Sequence, residues 1–378
     1  MNLTERYLGK TVISFSLLVL MVLVALLSFF EALYQFGKVN ESFTFAKATL
    51  FVVLKVPGYF SELFPVALLI GTLMGLGSLA NHGELTVLRV TGWSIRRILF
   101  AVAKSAFLLW LVIALIGEYV APQSESYAQK MRIEALNKSL SLGNSQGFWV
   151  KDGERYIHIG RVVSAEELRQ VTLYHLKDGR LQKVQSSPKV VYDERRGWKM
   201  QQGQAMGLLF TDLPDDLSRV LLEDNAQLQP ERLRQLRLKF QKLDQTPLGL
   251  PFAPDDLAKL DMDSRYLSLV DLYAYIQFLQ QNELDAGPYL LDFWRKLAMP
   301  LVAFAMLAIV FPLIFGSQRQ ISTGQRVFVG IVVGLGFQLV NMLIGNLALV
   351  YQLPIALGAF LPALILLAIA LLWMRRLP

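Results

Sequence analysis

Phe148-Trp149-Val150-Lys151-Asp152-Gly153-Glu154-Arg155-Tyr156-Ile157-His158-Ile159 decides how this chain is built. Apolar and polar residues alternate on both sides of a Lys-Asp-Gly-Glu turn, the pattern of a β-hairpin. The pattern returns from Val171 to Leu176, across Lys177-Asp178-Gly179, and on from Arg180 to Val184. It returns again at Lys189 to Asp193, Glu194 to Gly197 and Trp198 to Gln201. These hairpins lie in a polar insert from about Gln123 to about Gly287, and the chain on either side is apolar. A mostly β domain is therefore predicted between two membrane blocks.

The composition agrees. Of 378 residues, 54% are hydrophobic and only 18% charged, which marks an integral membrane protein. With no cysteine, neither a disulfide framework nor a thiolate metal centre can form. His82, His158 and His175 lack ligand spacing, so neither a metal nor another cofactor is expected. His158 falls on a polar-facing strand position and is expected at the surface. The net charge of +7 suits an anionic partner, but no aromatic-plus-basic module for nucleic acid is present.

Thr11 to Phe30 is long enough to cross a hydrocarbon core of about 30 Å. It lacks the short apolar stretch and cleavage site of a signal peptide, so a retained helix is expected. Further spans are predicted at Tyr59 to Ala80, Ile98 to Val120, Leu297 to Phe315, Val327 to Leu349 and Ile355 to Met374. The chain thus divides into 1–122 with three spans, the β insert 123–287, and 288–378 with three more. Basic residues orient it: Arg6 and Lys10, then Arg89, Arg96 and Arg97, then Arg319 and Arg326, and Arg375-Arg376 all fall on one side, the cytoplasmic one. The insert and the loop Gln35 to Gly58 then lie outside, in the periplasm of a Gram-negative cell.

Several cations fall on that outer side: Lys38, Lys47, Lys55, Lys130, Arg132, Arg295 and Lys296. Either they are solvated, or they hold phosphate or carboxylate groups of a lipid. Arg295 and Lys296 lie beside Asp292 at the edge of an apolar span, where charge is costly. The second and fifth spans share a glycine spacing, Gly71, Gly75, Gly77 and Gly330, Gly334, Gly336, which predicts close helix packing within the chain or against a partner. Gln338, Asn341 and Asn346 are expected to make interhelical hydrogen bonds.

The connection 81–97 is too polar to span. Leu85, Leu88 and, less regularly, Val87 and Val90 give an apolar side to a short surface helix that starts near Glu84 and stops at Gly92, with Glu84 and Arg89 exposed. It either rests on headgroups or docks a cytoplasmic partner. Gly9-Lys10-Thr11 lacks the earlier glycine and the strand of a phosphate-binding loop, so the chain carries no ATPase of its own. Gly143-Asn144-Ser145-Gln146-Gly147, with Asp152 and His175 following, has the order of a hydrolase triad. A nucleophile elbow needs a strand before the serine and a helix after it. Here a polar segment leads into a strand, so a turn entering the β domain is expected.

Together, Arg6-Tyr7-Leu8-Gly9-Lys10-Thr11, Phe64-Pro65-Val66-Ala67 through Gly71 and Gly75, Glu84 to Gly92, Glu118-Tyr119-Val120-Ala121-Pro122-Gln123 and Gln146 to Gly153 resemble the lipopolysaccharide export permeases. The LptG type is resembled more closely than the LptF type, over nearly the whole chain. The resemblance implies six transmembrane helices with an inserted all-β, jellyroll-like periplasmic domain whose groove takes acyl chains. It implies a non-catalytic subunit of an ATP-binding-cassette transporter in the bacterial inner membrane. The implied partners are an LptF-like sister permease, an LptB-like ATPase dimer docked on Glu84, Leu85, Leu88, Arg89 and Gly92, an LptC-like periplasmic bridge, and lipopolysaccharide. It also implies lateral gates at the first and fifth spans and headgroup contacts from outer cations, here Lys38, Arg132, Arg295 and Lys296.

Elementary energetics fits such a task. Extracting an acyl chain costs about 0.8 kcal/mol per methylene, so a chain of roughly a dozen carbons costs about 10 kcal/mol and needs both a groove and an external energy source. The rival readings are a membrane-anchored hydrolase using Ser145 and an envelope scaffold with a β domain.

Overall fold

The computed structural model describes residues 2–136, 148–164, 166–177, 180–193, 197–210, 236–243, 246–250, 264–281, 285–316 and 322–376. The chain forms two compact units: Met1–Arg132 with Met262–Phe278 and Asp285–Pro378, and Ile133–Asp261 with Leu279–Leu284. The serine of the hydrolase reading, Ser145, lies outside the described residues.

The first unit is helical. Its elements are α1 (Leu3–Phe36), α2 (Phe45–Asn81), α3 (Glu84–Val90), α4 (Ile95–Leu115), a π turn (Ile116–Val120), α5 (Ala121–Leu136), the start of α6 (Leu269–Gln281), α7 (Gly287–Phe315), α8 (Thr323–Val350) and α9 (Ile355–Met374). Among the described residues six helical stretches are long and apolar enough to cross a membrane, as the sequence predicted. Side chains start several of them. Asn2 and Glu5 form a capping box on α1, and Ser322 and Gln325 form one on α8. The Thr44 and Ser94 hydroxyls accept from Lys47 N and Arg97 N.

Two boundaries differ from expectation. α2 begins at Phe45, not near Tyr59, so most of the expected outer loop Gln35 to Gly58 is helix. A helix needs only one apolar stripe, and Ala48, Phe51 and Val52, spaced i, i+3 and i+4, are buried there. Pro57 and Pro65 sit inside α2, each removing one intrahelical N–H donor. The third span continues through the π turn into α5. There Gly117 lies against Ser61, whose Oγ faces the Ile113 carbonyl at 3.5 Å.

α2 is the centre of this unit, with α1 and α8 against it. A Cβ on Gly71 would lie 2.5 Å from Ser16 N, so α1 crosses α2 backbone to backbone. Gly330 and Gly334 meet the softer Ile70 and Val66 side chains of α2, at 2.8 and 3.0 Å. A Cβ on Gly75 would stand a tight 3.3 Å from the Phe15 ring, whereas Gly336 faces open space. Gly77 makes space for the buried Arg326, which donates to Asn81 Oδ1 at 2.7 Å.

The second unit carries an antiparallel sheet: β1 (Phe148–Asp152), β2 (Arg155–Ser164), β3 (Glu167–Lys177), β4 (Arg180–Asp193), β5 (Gly197–Gln201), β6 (Gly203–Phe210) and β7 (Leu236–Leu243). The order is β1-β2-β3-β4-β6-β7, with β5 on the other half of β4. The inserted β domain is thus an open, largely meandering sheet. The first hairpin pairs Asp152 with Arg155 and turns at Gly153, whose φ of +59° suits glycine. The separate runs expected at Val184 and Lys189 are one strand, β4. Pro188 interrupts nothing, because it lies between the ladder to β6, which ends at Ser186, and the ladder to β5, which begins at Lys189. On its other side the β3 ladder skips Gln170, which has a φ of +56°. Val150, Ile157, Ile159, Val171, Leu173, Ser187 and Ala205 share one buried face. On the opposite face His158 lies half-buried against Trp149, with ring centroids 4.8 Å apart.

Glu167 bonds Lys189 at 3.0 Å across β3 and β4, and Arg169 at 3.0 Å. The Lys189 hydrogen bond, then Arg169, holds this carboxyl below the usual range. Its stabilisation is therefore present above the unfolded-state pKa and lost as pH falls through the lower folded value. Glu167→Gln should speed amide exchange along β3 and β4 near neutral pH, by at most about 1 kcal/mol. Well below the carboxylate range it should match the unsubstituted chain.

Candidate functional site

The short helix α3 is set off at both ends by glycines in the left-handed region, Gly83 at φ +77° and Gly92 at φ +91°. A seven-residue helix has little stability of its own and is held by packing. Leu85, 2% exposed, and Leu88 face the helical core. Val87 and Val90, 62% and 83% exposed, face away, together with Thr86 and Arg89. Glu84 is not simply exposed: its Oε2 accepts from Tyr7 OH of α1 at 2.8 Å. The predicted set Glu84, Leu85, Leu88, Arg89 and Gly92 therefore splits into an inward half and an outward half. Val87 and Val90, expected on the same apolar side as Leu85 and Leu88, instead form a second, outward face.

The expected headgroup cations also separate. Lys38 Nζ sits 3.4 Å from the Tyr34 ring centroid, and the Arg132 guanidinium 5.3 Å from that of Phe51. Among the described residues neither is ion-paired. Arg295 and Lys296 point inward instead. Arg295 bonds Asp292 at 3.3 Å and the Asn341 carbonyl at 3.3 Å, over Gly345. Lys296 donates to the Leu267 carbonyl. Lys55 pairs with Glu31 at 3.8 Å, and Glu62 accepts from Arg265 at 3.1 Å and from Tyr266 OH at 3.2 Å. Burial, then the nearby Glu62 charge, pushes the Tyr266 phenol up, so it stays a donor to that carboxylate.

Nothing catalytic assembles among the described residues. Asp152 is paired with Arg155, and His175 Nε2 lies 2.8 Å from Gln185 Oε1. No group of three metal-ligating side chains is found there either.

Six apolar spans, three on each side of the inserted β sheet in the sequence, with a short helix turned outward between the second and third, define a helical membrane protein of multi-pass topology. The sequence model for the lipopolysaccharide export system permease LptF/LptG matches residues 6–376, and the chain belongs to that family. It is similar to the lipopolysaccharide export system permease protein LptG of Escherichia coli (strain K12), with 31% identity over 365 residues, 95% of this chain and 94% of that protein. The LptG protein of Haemophilus influenzae (strain ATCC 51907 / DSM 11121 / KW20 / Rd) is 30% identical over 375 residues, 98% and 97% of the two chains. The chain is an LptG-type permease subunit of the inner membrane.

Proposed function

We propose that this subunit pairs with an LptF-like sister permease, takes lipopolysaccharide from the outer leaflet and passes it to an LptC-like bridge. ATP is hydrolysed by a separate LptB-like dimer, and this chain contributes no catalytic group. The β insert is periplasmic and α3 cytoplasmic, an orientation supported by Arg89, Arg96, Arg97 and Arg375-Arg376 on the α3 side.

The observation that carries this reading is the two-sidedness of α3. Leu85 and Leu88 fasten it to the spans, while Val87 and Val90 offer an apolar contact to a partner. Glu84 and Arg89 flank that contact, and Gly92 ends the helix. Lys38 and Arg132 are proposed to meet lipid A phosphates, being cations with aromatic support and, among the described residues, no carboxylate partner. Gly71, Gly330 and Gly334 let α1 and α8 lie close on α2, so they are proposed to set the helix spacing on which any gate depends.

The chain has no cysteine, so single cysteines can be mapped without background. Cysteines at Glu84 and at Asp152 should react with impermeant reagents from opposite sides of the membrane; labelling from the same side would sink the reading. The tagged chain should copurify with one sister permease and two nucleotide-binding subunits.

A further inference from the structure

The chain returning from the β insert does not simply enter α7. Residues 264–269 are tied to three membrane-spanning stretches by side chains that are mostly half-buried, with Arg265 exposed. Ser264 Oγ donates to Asp292 of α7. Arg265 and Tyr266 both reach Glu62 of α2, and the Tyr266 ring lies on Gly58, where a Cβ would stand 2.7 Å from it. The Leu267 carbonyl accepts from Lys296 of α7. Leu269 N–H donates at 2.6 Å to Glu118, which sits in the π turn of the third span. π turns commonly mark functional positions, and this one presents a carboxylate to a backbone N–H 151 positions away.

The charges balance inside this knot. Arg295 pairs with Asp292 and Arg265 with Glu62, and Lys296 lies within the electrostatic reach of Glu118 and Asp292. A cation already committed to a buried carbonyl and facing carboxylates is poorly placed to bind a lipid phosphate as well. Its cost of burial is met only if it does something the fold needs.

We propose that Lys296, with Glu118, Asp292 and Glu62, is a positioning residue that fastens segment 264–269 to the second, third and fourth spans. The fastening stays closed through the transport cycle. It makes the re-entry of the chain into the membrane a rigid strut, so that movement of the spans reaches the segment leading from the β insert undiminished. This rests on the transport reading above.

In the reconstituted transporter, Lys296→Met should lower lipopolysaccharide delivered per ATP hydrolysed by about tenfold, the equivalent of one lost charged hydrogen bond. Subunit stoichiometry and ATPase rate should be unchanged. Leu269→Pro removes the N–H offered to Glu118, at a first helical position where proline is tolerated, and Leu269→Ala, which keeps that N–H, controls for the lost side chain. The proline variant should uncouple in the same direction. Glu62→Cys with Arg265→Cys in the Lys296→Met chain, bridged by a short bis-thiosulfonate reagent, should recover transport and lose it again on reduction.

Normal coupling in Lys296→Met would overturn the proposal. So would normal coupling in Leu269→Pro where Lys296→Met fails to assemble. A bridged chain that stays inactive would mean the segment must move, or that Lys296 acts on lipid directly, and either defeats the strut. The unsubstituted chain's own rate tests the transport reading, whereas the ratio of variant to parent tests the strut.

Discussion

Gly71→Ala is expected to be the most damaging small substitution in the membrane unit. The added methyl group would meet the Ser16 backbone, which cannot rotate away, so α1 must shift off α2. Overpacking of this kind costs about 1–3 kcal/mol, and the upper end applies because no flexible side chain absorbs it. The same change at Gly330 or Gly334 presses on the tips of Ile70 and Val66 and should cost less. At Gly336 it faces open space and should gain up to about 1 kcal/mol of helix propensity. SDS-driven unfolding of the purified chain in mixed micelles ranks the four directly. Equal stability of Gly71→Ala and Gly336→Ala would refute the close crossing.

Val87→Asp and Val90→Asp should each abolish recruitment of the nucleotide-binding subunits while leaving the membrane unit folded. Both side chains already face water, so the substitution costs the isolated chain little. In an interface each would bury an unpaired carboxylate, worth about a hundredfold in affinity. Leu88→Asp should behave differently, because Leu88 packs against the spans and its loss destabilises the chain itself. Glu84→Ala should weaken recruitment less than the valine changes if Tyr7 OH is what engages that carboxylate. Copurification and ATPase stimulation read both effects, and full recruitment by Val87→Asp with Val90→Asp would remove α3 from the docking surface.

Much of this architecture was legible in the residues because it rests on local sums. Hydrophobic blocks long enough to span a bilayer, and alternation around Lys151-Asp152-Gly153-Glu154, can be read without knowing any distant neighbour. The start of α2 was missed for a related reason: its first turns carry Lys47 and Lys55, and only the stripe Ala48, Phe51 and Val52 is buried. Periodicity also revealed that α3 exists and that Arg89 is exposed, but it put Val87 and Val90 on the same side as Leu85 and Leu88, since all four are comparably apolar.

The amino-acid sequence by itself determined the number of spans, the place of the β insert and the family, since each depends on patterns held within a few dozen neighbouring residues. Only the tertiary structure decided which cations are free and which are spoken for. Arg295 and Lys296 look like Lys38 and Arg132 in sequence, yet the first two turn toward Asp292, Leu267 and Asn341 while the others lie on aromatic rings. The physical reason is range: hydropathy adds up along the chain, but the Leu267 and Asn341 carbonyls lie 29 and 46 positions from Lys296 and Arg295 and reach them only in the folded chain.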